Sequence, residues 1–400
     1  MPECGCRQRG NDDVLICLRS QTWGSNTSIN RSPVNDAMTT VLKTRFGDVL
    51  VQKEITQGDF DNIPIIDLAP MSSPNLEERK KLAAQIYDVC CRVGFFYIKN
   101  HGVPEELISK LHDYAHNFFA LPEEQKMDCY IGNSQRFRGF SPLYGEHGDT
   151  EIYEKKMGNL AEAFDIGYEI AGDRQKGPDD VLPPDNFSLY GGNQWPNEEN
   201  LPGFRETYLT YFGEILELSR RLMKIFALSL DLPEDYFDGI VKYPGCISRL
   251  MHYPRQPVPG EKQIGIAIHT DYECFTILSQ DTVPALQVLN VHGNWVACPP
   301  IPSTFVVNIG DFFAFWTNGI FKSTLHRATN LTGQERYSMP FFFGVDYDAT
   351  VSVLENCITA DNPAKSGPVK AGEHVRKQLA KTYVNYGGKV EKNANVSAAA

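Results

Sequence analysis

Between about residue 246 and residue 347 the chain is a succession of short β-type runs cut by turn residues, a texture that suits an antiparallel sandwich or barrel. Into one of these runs, IAIHTDYECFTIL (266–278), the sequence sets His269 and Asp271 two positions apart. Side chains at i and i+2 of a strand share a face. An imidazole and a carboxylate are thus aimed together at what should be a hydrophobic core, where a charged group is costly without a partner.

The downstream segment supplies partners. DFFAFWTNGIFKSTLHRATN contains Asn318-Gly319, a strong signal for a two-residue type I′ hairpin. If Thr317 pairs with Ile320, His326 lies opposite Asp311 and shares a face with Phe313, Phe315, Lys322 and Thr324. A second hairpin centred on Leu331 sets His326 across from Arg336, with Ser338 on the face of Arg336. A one-residue slip would reverse each of these assignments. The core-directed polar set is then His269, Asp271, His326, Arg336 and Ser338. Two imidazoles and one carboxylate make the facial triad of non-haem Fe(II) oxygenases. That triad leaves three coordination positions, two for a bidentate 2-oxo acid and one for dioxygen. Arg336 suits the far carboxylate of such an acid in fork geometry, with the Ser338 hydroxyl beside it. Gly265, Ala267, Phe313, Phe315, Thr324 and Phe342 fall on the same faces near the metal. Of these, Ala267, Phe313, Phe315 and Phe342 are the candidate substrate contacts and imply an apolar or ring-containing substrate, although each phenylalanine reads equally well as core. His112 and His116 stand at i, i+4 on a helix without a third ligand; His101 and His292 sit in turns; His252 is structural.

The pattern predicts five segments: a flexible extension over 1–60, a mixed α/β region over 61–240, the β core over 241–350, a helical segment over 351–388 and a disordered tail over 389–400. Within the second, IPIIDLAP and GFFYIKNHGV read as strands. SSPNLEERKKLAAQIYDVCCRVG, PEELISKLHDYAHNFFALPEEQK and residues 204–230 read as helices from their 3.6-residue apolar period. Residues 169–203, dense in Pro, Gly, Asp and Asn, form a long irregular connection of the kind that serves as a lid or binding segment. The expected class is mostly β with flanking α.

Fifty acidic against 38 basic residues give a net charge of −12 without a Lys/Arg-rich run, which argues against nucleic acid or anionic membrane as partner. No apolar run is long enough to span a bilayer and the N-terminal stretch lacks a signal-peptide h-region. The ten cysteines show no C-x-x-C spacing and read as reduced thiols. Together these imply a cytoplasmic protein whose partner is a small molecule.

HTD, STLHR and RYSMPFF match the H-x-D…H…R-x-S signature of the 2-oxoglutarate-dependent Fe(II) dioxygenases related to isopenicillin N synthase. IPIIDL, VGFFYIKNHGV, FFALPEEQK and RFRGFSP follow that family's order, and AFDIGYE and GGNQWP resemble its fungal and bacterial small-molecule oxygenases, the thymine-hydroxylase-like members included. The resemblance covers roughly residues 60–385. It implies a double-stranded β-helix (jelly roll) flanked by helices, with His269, Asp271 and His326 as ligands of Fe(II). Arg336, Ser338 and Tyr253 would bind 2-oxoglutarate, with O2 as oxidant. Plant relatives often carry Asn two residues before the tyrosine, where this chain has Met251. The expected activity is hydroxylation, desaturation or ring formation on a small organic molecule, in specialised metabolite biosynthesis. Two other readings stand beside it: an oxidase that needs no 2-oxoglutarate, as isopenicillin N synthase is, and a metal-binding β-helix module without turnover.

Overall fold

A computed structural model describes residues 39–44, 47–52, 60–146, 159–255, 265–330 and 332–383. Strands β1 (Thr39–Thr44) and β2 (Gly47–Gln52) form an antiparallel pair inside the segment expected to be flexible. Runs such as Val49-Leu50-Val51, rich in β-branched residues, favour that pairing. The remainder of that extension and the tail from residue 384 lie outside the described residues.

Next come β3 (Ile65–Asp67), α1 (Leu76–Arg92), β4 (Phe95–Lys99), α2 (Glu105–Phe119) and the short α3 (Glu123–Met127). α1 begins where Asn75 accepts a hydrogen bond from the Glu77 amide, and Leu82, Ala83, Ile86, Val89 and Cys90 are its buried stripe, as the period required. β5 (Gly139–Ser141) and β6 (Glu162–Gly167) precede the irregular connection, and α4 (Phe204–Ser229), most of whose residues are buried, follows it. α4 packs against α1 and α2 to form the layer that backs the sheet.

The β core then comprises β7 (Pro244–Tyr253), β8 (Ile266–His269), β9 (Phe275–Gln280), β10 (Leu286–Leu289), β11 (Trp295–Ala297) and β12 (Thr304–Ile309). Helix α5 (Asp311–Trp316), β13 (His326–Ala328), β14 (Arg336–Asp346), β15 (Thr350–Val351), β16 (Val369–Lys370) and α6 (Ala371–Thr382) complete the chain. One sheet runs β3-β4-β12-β9-β14-β7-β6-β5 and a smaller one runs β11-β10-β13-β8. These are the major and minor sheets of a jelly roll. No helix among the described residues is long and apolar enough to cross a membrane.

Two expected hairpins are absent. Residues 311–316 are helical, not a strand, and Asn318 and Gly319 take their left-handed φ values (55° and 79°) just beyond that helix. Phe312, Phe313 and Trp316 recur at helical spacing and are buried, so the aromatic run follows a 3.6 period rather than 2. β13 does not pair with β14 either. It lies between β10 and β8, whereas β14 lies between β9 and β7, in the other sheet.

Candidate metal and co-substrate site

The register that does form places His326 directly opposite His269 on β13 and β8. Strand β8 ends at His269, so strand alternation does not carry Asp271 to the same place. The chain turns out of the sheet instead, and the turn is tied down by the Asp311 amide on the Asp271 carbonyl (2.7 Å), the Gly310 amide on the Cys274 carbonyl (2.9 Å) and the Thr270 hydroxyl on Asp311 Oδ2 (3.0 Å). Asp271 Oδ1 then lies 3.5 Å from His269 Nε2 and 3.6 Å from His326 Nε2. One donor atom from each residue falls within 4.8 Å of the others.

Hydrogen bonding behind these three groups fixes what they present. His269 Nδ1 is 2.8 Å from the Ala267 carbonyl and His326 Nδ1 is 3.0 Å from the Thr324 carbonyl. A carbonyl only accepts, so each Nδ1 carries the proton and each Nε2 presents a lone pair. Asp271 Oδ2 is occupied by the Thr276 hydroxyl and by Asn308 Nδ2 (2.6 Å), both reaching from the major sheet, so Oδ1 is left for the imidazoles. Two lone pairs converging on a carboxylate oxygen repel unless a cation stands among them. The same demand shows in protonation. Burial opposes charge on His269, but the Asp271 carboxylate outweighs it and raises the imidazole above its ordinary value. Burial likewise opposes ionisation of Asp271, and His326 and His269 hold its carboxyl well below the usual range. The donor set fits a divalent transition metal, with Phe95 edge-on to His326 (ring centroids 5.0 Å apart) shielding it.

Arg336 is 1 % exposed and directly opposite Tyr253 on β7. Its guanidinium donates to three neutral acceptors, the Val283 carbonyl (3.2 Å), Ser338 Oγ (3.3 Å) and Gln280 Oε1 (3.2 Å), and its carbon lies 4.7 Å from the Tyr253 ring centroid. Among the described residues no carboxylate comes within ion-pair distance of it; both oxygens of neighbouring Asp281 are taken by the Val283 and Tyr337 amides. A buried guanidinium with no carboxylate against it is a receptor for an anion from outside. The Tyr253 hydroxyl meets Met251 Sδ at 3.4 Å, so the residue that departs from the plant pattern touches that phenol.

One cavity of about 1260 Å³, its mouth included, joins these parts. Ala267, Phe342, Tyr253, Arg336, Ser338 and the three metal-ligand candidates all line it. Phe313 and Phe315 do not. Phe313 is buried among Phe226, Phe237, Trp316 and Phe321 because the helical turn of α5 aims it away from the metal; Phe315 is packed beside that core. Sequence reasoning missed Thr276 and Asn308, although a lone Asn in FVVNIG was a visible oddity, and it missed Glu146, Asp165, Arg249 and Tyr383, which line the same cavity. Arg249 in CISRLMHY interrupts an apolar strand and was the available signal.

Residues 244–345 match the model of the 2OG-Fe(II) oxygenase superfamily, and residues 63–198 match that of the non-haem dioxygenase in morphine synthesis N-terminal region. The chain belongs to the 2OG-Fe(II) oxygenase superfamily. It is 35 % identical over 351 residues to the 2-oxoglutarate-Fe(II) type oxidoreductase ppzC of Metarhizium rileyi, covering 85 % of this chain and 90 % of that one. It is 34 % identical over 325 residues to hxnY of Emericella nidulans, also a 2-oxoglutarate-Fe(II) type oxidoreductase, covering 80 % and 90 %. Among solved structures, a full-length Neurospora crassa protein in complex with alpha-KG and thymine superimposes with a TM-score of 0.68 at 26 % identity, over 82 % of this chain and 99 % of that one. The protein is thus an oxidoreductase of the 2-oxoglutarate-dependent dioxygenase class, with Fe(II), 2-oxoglutarate and O2 as its chemistry implies.

Proposed function

We propose that His269, Asp271 and His326 hold Fe(II), that Arg336 and Ser338, backed by Tyr253, hold the distal carboxylate of 2-oxoglutarate, and that a small organic molecule is oxidised in the space beside Ala267 and Phe342. The observation that carries this reading is the buried Arg336, without a carboxylate partner among the described residues, in one cavity with three converging candidate metal-ligand heads. When bound, iron and 2-oxoglutarate supply the oxidising power: dioxygen is reduced while the keto acid becomes succinate and carbon dioxide, and a substrate C–H bond is oxidised. The chain's own part is positional. The Ala267 and Thr324 carbonyls fix both imidazole tautomers. Thr276 and Asn308 restrict Asp271 to one free oxygen. The Ser338 hydroxyl, which accepts from Arg336, keeps its own proton to donate to the co-substrate carboxylate. The apolar walls at Phe95, Leu278, Leu286 and Phe342 exclude water from the reacting face.

The resemblance to fungal small-molecule oxygenases supports a role in specialised metabolite biosynthesis. The reading is tested by loading the purified protein with Fe(II) and 2-oxoglutarate without oxygen, measuring both affinities, then admitting oxygen and following succinate. Stoichiometric binding of both and succinate formation stimulated by substrate are expected. Substrate oxidised without succinate would instead mean an oxidase, and binding with no succinate under any substrate would mean a module without turnover.

A further inference from the structure

The cavity continues past the metal to a wall that the iron and co-substrate roles leave unused. Ile247, Arg249, Met251 and Tyr253 alternate along β7 and all face inward. Arg249 is therefore four residues from the co-substrate end, roughly 13 Å along the strand. Asp165 stands opposite Arg249 on β6 and takes both ends of a fork, from Nε at 2.6 Å and Nη2 at 2.7 Å. Glu146 Oε2 takes Nη1 at 2.9 Å. Tyr383, which ends α6, places its hydroxyl against Arg249 Nη2 and within 3.1 Å of Glu146 and 3.0 Å of Asp165, with one proton for the two.

This wall has more acceptors than donors. Two carboxylates offer about four acceptor positions each, and the bonds from Arg249 and the tyrosine proton fill roughly half. Its formal charge, two anions against one cation, is −1. The other cations among the described residues that line the cavity are engaged elsewhere. Arg336 awaits the co-substrate, and Arg327 stacks on Trp295 (3.9 Å) while donating to Gln287 (2.8 Å). Glu273 is 5 % exposed and lines the same cavity, and its Oε1 has no hydrogen-bond partner among the described residues, so the cavity holds a buried polar atom left open to a ligand. Met251, Ile247, Phe137, Phe342, Val375 and Leu379 line the same cavity as an apolar sleeve. The protein's net charge of −12 adds a field that draws cations toward it.

We propose that the substrate carries a protonated nitrogen (an ammonium, amidinium or guanidinium group) that Glu146 and Asp165 hold, with its apolar body along the Met251–Phe342 sleeve and a C–H bond delivered to the metal. This rests on the dioxygenase reading and names the substrate class of that site. The test is calorimetry on the protein loaded with Fe(II) and 2-oxoglutarate in the absence of oxygen, titrated with phenethylamine, phenethylguanidine, phenethyl alcohol and 3-phenylpropionate. The two cations should bind at least tenfold more tightly than the alcohol, and the propionate should not compete. Glu146→Gln and Asp165→Asn should each erase that preference while 2-oxoglutarate affinity stays at the wild-type value, which also reports a folded protein. Equal binding of cation and alcohol, no binding of either cation, or tightest binding of the propionate would each overturn the proposal, and the wild-type arm suffices if a variant does not fold. Failure to bind iron or 2-oxoglutarate at all would overturn the dioxygenase reading instead.

Discussion

At the scale of single residues, the site depends on groups that touch no ligand. Asn308 donates to Asp271 Oδ2 from inside β12, so its loss frees the carboxylate to rotate. Asn308→Ala should weaken Fe(II) binding by about 10- to 100-fold, the usual range for such supporting partners, while His269→Ala should abolish it and all succinate formation. Equilibrium titration of metal into both variants checks the grading; wild-type affinity in His269→Ala would remove that histidine from the ligand set. Arg336 makes a different prediction because its proposed partner is the co-substrate anion rather than the metal. Arg336→Ala should cost about 2 kcal/mol or more of 2-oxoglutarate binding, some 30-fold or beyond, with Fe(II) affinity nearly unchanged. Should iron affinity fall while co-substrate affinity holds, the guanidinium has another role.

At the scale of elements, the loop that delivers His326 is anchored from outside the β core. Gly94 joins α1 to β4 at φ +72°, and a Cβ there would lie 2.0 Å from the Lys322 carbonyl oxygen. Beside it the Thr324 hydroxyl donates to the Val93 carbonyl at 2.7 Å, and the Thr324 carbonyl in turn orients His326. Gly94→Ala combines a left-handed backbone with an overlap against main chain and should cost about 2 to 5 kcal/mol of stability, with a drop in metal affinity as His326 shifts. Urea unfolding read alongside metal titration separates the two effects. Helix α2 carries another constraint. His112 Nε2 is 3.0 Å from Ser279 Oγ, its Nδ1 has no partner among the described residues, and burial, with the charges of His116 and Arg336, pushes the imidazole down to about 4 against the opposing pull of Asp113. Between its ordinary value near 6.5 and about 4 the unfolded chain takes up a proton that the folded one refuses. Stability therefore falls as pH drops through that window, by about 3 kcal/mol in all. His112→Gln should flatten the acid limb of a stability–pH curve; an unchanged limb would show that the histidine is not what the fold keeps neutral.

At the scale of the whole molecule, the metal joins parts of the chain that the fold alone keeps apart in sequence. Its proposed ligands come from β8, the turn after it and β13, and their supports come from β9 and β12 of the other sheet. An ion that binds only the folded arrangement should stabilise the protein through linkage, by about 2.7 kcal/mol at a free metal concentration one hundred times Kd. Calorimetric melts should show a rise in Tm of several degrees with Fe(II) under anaerobic conditions, reversed by a chelator and absent in His269→Ala. α6 and the Tyr383 that follows it help to wall the same cavity, which Val375 and Leu379 also line. The enclosure is thus a property of the assembled chain and not of the β core alone.

The linear chain was sufficient for the amphipathic helices, whose apolar period is carried by residues a turn apart, and for singling out His269, Asp271, His326, Arg336 and Ser338, which the fold brings to one cavity. Those residues are legible because a charged or metal-binding side chain in an apolar run has few bland explanations. Which of them meet was decided only by tertiary structure. His326 faces His269 and not Arg336, Arg336 faces Tyr253, and the aromatic run at Asp311–Trp316 coils and takes Phe313 and Phe315 into the core. Local turn chemistry at Asn318-Gly319 was outweighed by burial of the aromatics on one side of a helix. The wall of Glu146, Asp165, Arg249 and Tyr383 was invisible for a related reason: its members come from four separate segments, and their pairing follows from sheet register and the packing of α6, which no local pattern encodes.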